Sequence, residues 1–501
     1  MKEKKISKKR VLLPGGIFLF CITAGLVFLF WFGYRVHHIP SDKIRNADIE
    51  ALSRGDYEAV MLSMYTPEAF SAEEFEHFRG IPTVQAFHPF VNLADIGNYL
   101  EQSFFGNNNL SHVYIGLDPF VISGLYGHHA SLYAKDYARY LTEYVEAHDD
   151  VLFELLIPAY SLSYLKTLSD STYTELIDSY RNLVNIYIPY GNVYVYFLGH
   201  EEWLIANSGN YAGSTCLTSS ILRLVAAYSI ANDRYILKPD NMEERFEQMT
   251  DLVRETDISY PDLAEWCIVF IGDSIFEYNA GSRSVSGVVE NLSGAQVYNC
   301  SKGGIAAAED PEEILSFNRM VTRFLEQDTS GLDDSMNFKL ELQKYIRESH
   351  EGKKYCFALN FGLNDYATGT PIENPADGFD VNTYSGAMRT GISRLKEAYP
   401  EAVILLQTPT YAIGFSEGTE ILGEGGGTIT DYVKAAISVA QDMDVLCINN
   451  YDDSGINADT YEKYLADGCH PNETGAFLLG RRILEVMEGL VGNDVQADKG
   501  D

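Results

Sequence analysis

The stretch Trp266-Cys267-Ile268-Val269-Phe270-Ile271-Gly272-Asp273-Ser274 decides the fold. A short apolar run rich in β-branched residues and stopped by glycine predicts a parallel strand buried on both faces. The serine then falls at the carboxyl end of that strand. Open α/β sheets bind their ligands at that edge, and a helix starting there aims free N–H groups at a bound anion. Alone, Gly-Asp-Ser also makes ordinary strand-to-helix turns, so its chemistry depends on what else the chain brings to the same edge.

Downstream the rhythm continues. Strands are expected at 296–299, 355–360, 403–407 and 445–448, and helices at 284–292, 312–327, 338–347, 384–398, 429–441 and 474–487. Upstream, strands at 59–64, 112–116, 151–157 and 192–197 alternate with amphipathic stretches such as 135–147 and 173–185. Strands alternating with helices imply parallel sheets covered on both faces. The chain therefore divides into an α/β domain at 57–254 and a second at 265–489, with the acidic segment 251–262 as boundary and a polar, disordered tail at 490–501.

The two regions align as distant copies. Residues 112–118 and the strand ending at Pro158 parallel 355–365 and the strand ending at Pro409, and 207–225 holds the place of 467–487. On this alignment Tyr65 stands where Ser274 does, which makes the first copy non-catalytic.

Lys+Arg 37 against Asp+Glu 71 gives a net charge of −34, an imbalance that excludes general affinity for nucleic acid or anionic lipid surfaces. The first ten residues depart from it, with Lys2, Lys4, Lys5, Lys8, Lys9 and Arg10 against Glu3. Residues 11–34 are uncharged and mainly apolar, long enough as a helix to cross a hydrocarbon core of about 30 Å. The positive-inside rule keeps the 1–10 tail cytoplasmic and sends everything beyond a polar stalk at 35–56 outside, making a single-pass, extracytoplasmic protein. Phe20 before Cys21 is too bulky for a lipoprotein site.

Seven cysteines, one in that span, make no disulfide framework, and none pairs at metal-ligand spacing. Cys267, Cys356 and Cys447 suit core positions in strands. His128 and His129 lack ligand-spaced neighbours, and Gly423–Gly427 lacks the lysine of a phosphate loop. No cofactor or metal is expected.

Three further blocks reach the edge that Ser274 occupies: Asn299-Cys300-Ser301-Lys302-Gly303-Gly304, Asn360-Phe361-Gly362-Leu363-Asn364-Asp365, and Asp467-Gly468-Cys469-His470-Pro471. Each is weak alone, yet all four fall in order at strand ends or before helices. The region 265–489 thereby resembles the SGNH, or GDSL, hydrolase superfamily. The resemblance implies a flavodoxin-like three-layer α/β domain in which Ser274 is the nucleophile, His470 the general base and Asp467 its orienter. It also implies an oxyanion hole from the Ser274 N–H, Gly304 and Asn364, with Gly303 a less fitting glycine. Ile275 in place of leucine and about sixty residues between the second and third blocks depart from the family's pattern.

The residue chemistry agrees. A serine hydroxyl becomes a useful nucleophile when an adjacent imidazole takes its proton, and a carboxylate on the other ring nitrogen fixes the tautomer. Location outside the membrane points to an acyl, and in particular acetyl, ester on a cell-envelope or extracellular glycan as substrate. Two alternatives remain: an acyltransferase working with envelope-polymer biosynthesis partners through the same acyl-serine, and a binding or assembly protein with a relic site.

Overall fold

A computed structural model of the chain describes residues 50–63, 72–87, 93–116, 141–157, 159–213, 216–231, 233–413 and 426–497. The expected basic tail (1–10), membrane span (11–34) and most of the stalk (35–56) lie outside the described residues, as do Tyr65, His128, His129 and residues 423–425. Among the described residues no helix is long and apolar enough to cross a membrane. They form two compact units. One comprises the described residues up to Tyr160 with Leu168–His200 and Leu217–Gln248; the other comprises Ser161–Thr167, Glu201–Cys216 and the residues from Met249 onward.

The first unit is built on five parallel strands, β1 (Ala59–Ser63), β2 (Thr83–Phe87), β3 (His112–Gly116), β4 (Leu152–Ile157) and β5 (Val193–Phe197), in the order β2-β1-β3-β4-β5. Strand β2 was not expected, because Thr83 and Gln85 break up its five residues and leave no continuous apolar run. It lies at the sheet's edge, where such a strand suffices. Helix α1 (Asp170–Tyr187) buries Leu176, Ile177, Tyr180, Leu183, Val184 and Tyr187, a stripe at helical spacing, and starts on Ser169, whose side chain accepts the Thr172 N–H.

The second unit holds β6 (Trp266–Gly272), β7 (Gln296–Asn299), β8 (Lys354–Asn360), β9 (Val403–Gln407) and β10 (Leu446–Ile448). All pairs are parallel, in the order β7-β6-β8-β9-β10, which repeats the strand order of the first unit. Its helices include α2 (Glu202–Ile205), α3 (Ser274–Glu277), α4 (Val285–Ser293), α5 (Phe317–Glu326), α6 (Leu363–Thr368), α7 (Tyr384–Ala398), α8 (Ile429–Asp442) and α9 (Glu473–Ala497). The first crossover runs outward one way and the later ones the other. Right-handed connections therefore put α4 on one face and α7 and α8 on the opposite face. The order reverses beside β6, and all seven residues of β6 are buried. A ligand crevice is expected at its carboxyl end.

Three expectations are corrected. Residues 201–216 do not mirror the His470 region at the edge of the first sheet but belong to the second unit. There Trp203, Leu204 and Ile205 are buried, Glu202 pairs with Arg481 at 2.8 Å, and Asn207 Nδ2 donates to Ser282 O at 2.9 Å. Helix α5 begins at Phe317 rather than 312, because the Ser316 side chain accepts the Arg319 N–H and stops the helix growing backwards. Helix α9 continues to Ala497, through the polar stretch expected to be disordered; extending an existing helix avoids the cost of a new nucleus.

Asn207 is almost fully buried, and its side chain also accepts the Gly209 N–H at 3.1 Å. Asn207→Ala strands the Ser282 carbonyl and is expected to destabilise the second unit by about 1–3 kcal/mol. Trp203 and Trp266 both lie in this unit, so urea unfolding followed by tryptophan fluorescence measures the loss. An unchanged midpoint would mean that the segment contributes nothing to it.

Candidate active site

Strands β6 and β8 end level, with Gly272 opposite Asn360. Asp273 follows as the N-cap of α3, its N–H donating to Asn360 O at 3.1 Å and its Oδ1 accepting from Ile275 N–H at 2.9 Å. Ser274 is thus the first residue of a turn pinned at the sheet edge.

His470 arrives on a closed loop. Ala466 N–H donates to His470 O at 2.8 Å, and Leu465 bridges Pro471 behind it. Gly468 is left-handed (φ +82°), and the Ile413 side chain fills the space that a Cβ would need, so glycine alone fits there. Inside the loop Asp467 Oδ1 accepts from the N–H groups of Cys469 (3.0 Å) and His470 (2.8 Å), while its Oδ2 lies 2.7 Å from His470 Nδ1. The other ring nitrogen, Nε2, lies 2.9 Å from Ser274 Oγ.

Partial burial alone would raise the Asp467 carboxyl. The His470 N–H, the His470 ring and the Cys469 N–H outweigh it and hold the group at about 2. Asp467 is therefore a carboxylate and only an acceptor, so Nδ1 carries the proton of that contact. In the neutral ring Nε2 is then left to accept the Ser274 hydroxyl proton. The structure thus brings Ser274, His470 and Asp467 into one line of hydrogen bonds.

The loop after β7 lies against the serine. A Cβ on Gly303 would fall 3.2 Å from Ser274 Cβ, and the Gly303 N–H donates to Glu277 Oε2. Gly304 is exposed, and among the described residues neither its N–H nor that of Ser274 has a protein acceptor. Of the two glycines, Gly304 is the one with a donor to offer. Asn364 is close by but engaged: its Nδ2 donates to Ile305 O at 3.1 Å and, more weakly, to Asp273 Oδ2 at 3.4 Å.

Sequence reasoning quoted Asp365 and Asp273 without giving them work. Asp365 is fully buried and accepts the N–H groups of Ala307 (2.8 Å) and Ala308 (3.0 Å), tying the loop after β7 to α6. Burial pushes its carboxyl up to about 6 against those two donors. Burial likewise pushes Asp273 up to about 7, against the Ile275 N–H and with Asp365 adding to the rise. Tyr278, stacked on the His470 ring, had no signal in the sequence beyond its nearness to Ser274.

Residues 270–476 match the family described as GDSL-like Lipase/Acylhydrolase, and the C-terminal region is an SGNH/GDSL hydrolase domain. Among solved structures the chain is similar to a protein from Lactobacillus plantarum at 17% identity over 46% of this chain and 99% of that one, with a TM-score of 0.34. It is also similar to the lipase/acylhydrolase from Enterococcus faecalis (19% identity, 45% and 96% covered, TM-score 0.29). A third is an acetylxylan esterase from Geobacillus stearothermophilus (16%, 44% and 93%, TM-score 0.29). No curated protein matches the chain.

The raised Asp365 carboxyl makes a signed prediction. Its proton leaves the unfolded chain near the ordinary aspartate value of 3.8 but stays in the folded chain until about 6. The stability it contributes is complete below the unfolded value and is lost as pH rises through that window. Asp365→Asn keeps one acceptor and does not titrate. The stability advantage of wild type over Asp365→Asn is expected to narrow from about pH 4 to about pH 6 and then level off. Denaturant unfolding of both proteins across that range checks it, and an advantage that grows with pH would contradict the burial account.

Proposed function

We propose that the protein is a membrane-anchored, extracytoplasmic serine esterase that removes an acyl group, in particular acetyl, from a cell-envelope or extracellular glycan. The observation that carries the chemistry is the continuous line Ser274 Oγ, His470 Nε2 at 2.9 Å, and Asp467 Oδ2 at 2.7 Å from Nδ1. In the first half-reaction Ser274 Oγ attacks the ester carbonyl while Nε2 takes its proton, and the imidazolium formed is stabilised by the Asp467 carboxylate. The tetrahedral oxygen collects the N–H groups of Ser274 and Gly304 and the Asn364 amide, whose 3.4 Å bond to Asp273 is the easiest to exchange. Collapse expels the sugar alkoxide, which takes the proton from Nε2 and leaves acyl-Ser274. Water then repeats the sequence, with His470 removing its proton and returning it to Ser274.

The anchor and the outward orientation rest on the apolar run at 11–34 and the six basic residues before it. The glycan ester follows from that location. The second reading, acyl transfer to an envelope polymer, uses the same acyl-Ser274 and differs only in what attacks it.

Ser274→Ala and His470→Ala are each expected to lower hydrolysis of p-nitrophenyl acetate by about 10⁴-fold or more and to abolish labelling by a fluorophosphonate, with folding retained. Full labelling of Ser274→Ala would place the nucleophile elsewhere.

The two readings part in the presence of an acceptor. With added oligosaccharide, most of the acyl group is expected to leave as free acid. Recovery of mainly acylated oligosaccharide by mass spectrometry, dependent on Ser274, would favour transfer instead.

A further inference from the structure

Two in-plane hydrogen bonds hold His470 at its nitrogens, to Asp467 and to Ser274. Such bonds hold the ring at its two nitrogens. Rotation about the side chain's own bonds can still swing the ring within the slack of those contacts, and such a swing turns the Nε2 lone pair away from the serine proton. A contact on the ring's face limits it. Tyr278 supplies one: its ring lies 4.9 Å from that of His470, centroid to centroid, at an angle of 18°.

The corner that carries Tyr278 is tied to the histidine loop through Asn279 and to the helix after it through Arg283. The Tyr278 N–H donates to Ser274 O at 2.8 Å. The next residue, Asn279, is left-handed (φ 66°), a conformation that non-glycine residues keep only where their surroundings demand it. Asn279 Nδ2 donates to Pro471 O at 3.3 Å, one residue past His470. Arg283 pairs at 3.5 Å with Glu473, a nearly buried carboxylate at the start of α9, and Ser282 O accepts from Asn207. The contacts of Asn279 and Arg283 thus hold the segment after Tyr278 against the segment after His470.

We propose that Tyr278 is a positioning residue for His470, setting its ring plane for proton transfer and stabilising its protonated form through the face of the phenol. This rests on the reading of His470 as the general base. A cation facing an aromatic ring within about 6 Å of its centroid is attracted by the ring's electron-rich face. That attraction grows when His470 takes the serine proton, so it acts in the transition state more than in the ground state. Its loss should appear in kcat and leave KM nearly alone. The face matters here and the hydroxyl does not.

The test compares Tyr278→Phe and Tyr278→Leu in the full chain, with Ser274→Ala alongside. Tyr278→Phe is expected to keep kcat for p-nitrophenyl acetate within about twofold, and Tyr278→Leu to lower it about ten- to a hundredfold with KM within about threefold. Equal kcat for Tyr278→Leu and wild type would overturn the proposal, as would a loss carried by KM or a loss in Tyr278→Phe as large as in Tyr278→Leu. Should Tyr278→Leu fail to fold, Tyr278→Met carries the same comparison. A readout independent of turnover is the low-field proton resonance of His470 Nδ1–H. Its protection from exchange with water is expected to persist in Tyr278→Phe and to fall in Tyr278→Leu. A wild-type chain without Ser274-dependent hydrolysis would sink the esterase reading, whereas unchanged protection in Tyr278→Leu would sink the role of Tyr278.

Discussion

The level ending of β6 and β8 is the constraint on which the site depends. Both strands are buried on both faces, so the alternation of side chains cannot by itself fix their register. The ends do. Asp273 N–H bonds to Asn360 O at 3.1 Å, and Gly272 has no Cβ to collide with that same oxygen, which would lie only 2.8 Å from it. A slip by one residue would break the bond and drive a side chain into the Asn360 carbonyl. With the strands level, Asp273-Ser274 and Gly362-Leu363-Asn364 leave the sheet side by side. Only then does Asn364 reach Asp273, and Asp365 the loop after β7.

Beneath Ser274 lie two fully buried carboxyl groups, Asp273 and Asp365. Burying an acid without partners is expensive, and here burial does push both groups towards their protonated forms. Each nonetheless accepts backbone N–H groups that would otherwise be stranded, those of Ile275, Ala307 and Ala308. Neither donors nor acceptors have water to turn to. The segments they join are held in place before any substrate arrives, which is the condition for stabilising an oxyanion without reorganisation. Polar burial that weakens the fold as pH rises thus also fixes the geometry around Ser274.

Much of this was legible in the sequence, for identifiable reasons. The β6 run and the Gly-Asp-Ser stop announced a buried strand with a serine at its end, and β7 and β9 fall at the expected residues because apolar runs bounded by turn residues mark strands well. The grouping of Ser274 with Asp467 and His470 was legible as a pattern of short blocks, because Ser274 closely follows a strand end and the Asp467-to-Pro471 turn closely precedes a helix. What stayed hidden is non-local or insensitive to pattern. Strand β2 carries Gln85 at its centre and sits at an edge. Residues 201–216 look like a continuation of the first region, yet their partners Ser282, Asn291 and Arg481 stand far along the chain. Tyr278 resembles any tyrosine until the loop carrying His470, far along the chain, folds onto its ring.

On the proposed reading, the placement of His470 and Ser274 bears on what an acyl-enzyme would meet next. The serine sits on the sheet edge, but His470 and Asp467 come from a loop, with side chains 25% and 52% exposed. A general base so placed would have water within reach once an acyl-Ser274 formed. Water outnumbers any sugar hydroxyl, so transfer requires an acceptor held against the acyl group and solvent kept from the imidazole. The first of these is a matter of binding and could be met by surfaces on many parts of the chain. The second must be met at the histidine itself. Among the described residues the covering there is the Tyr278 ring on one face and the Ile413 side chain against Gly468, itself 44% exposed. Hydrolysis is the first reading because water needs no held acceptor, and transfer the second because it needs one.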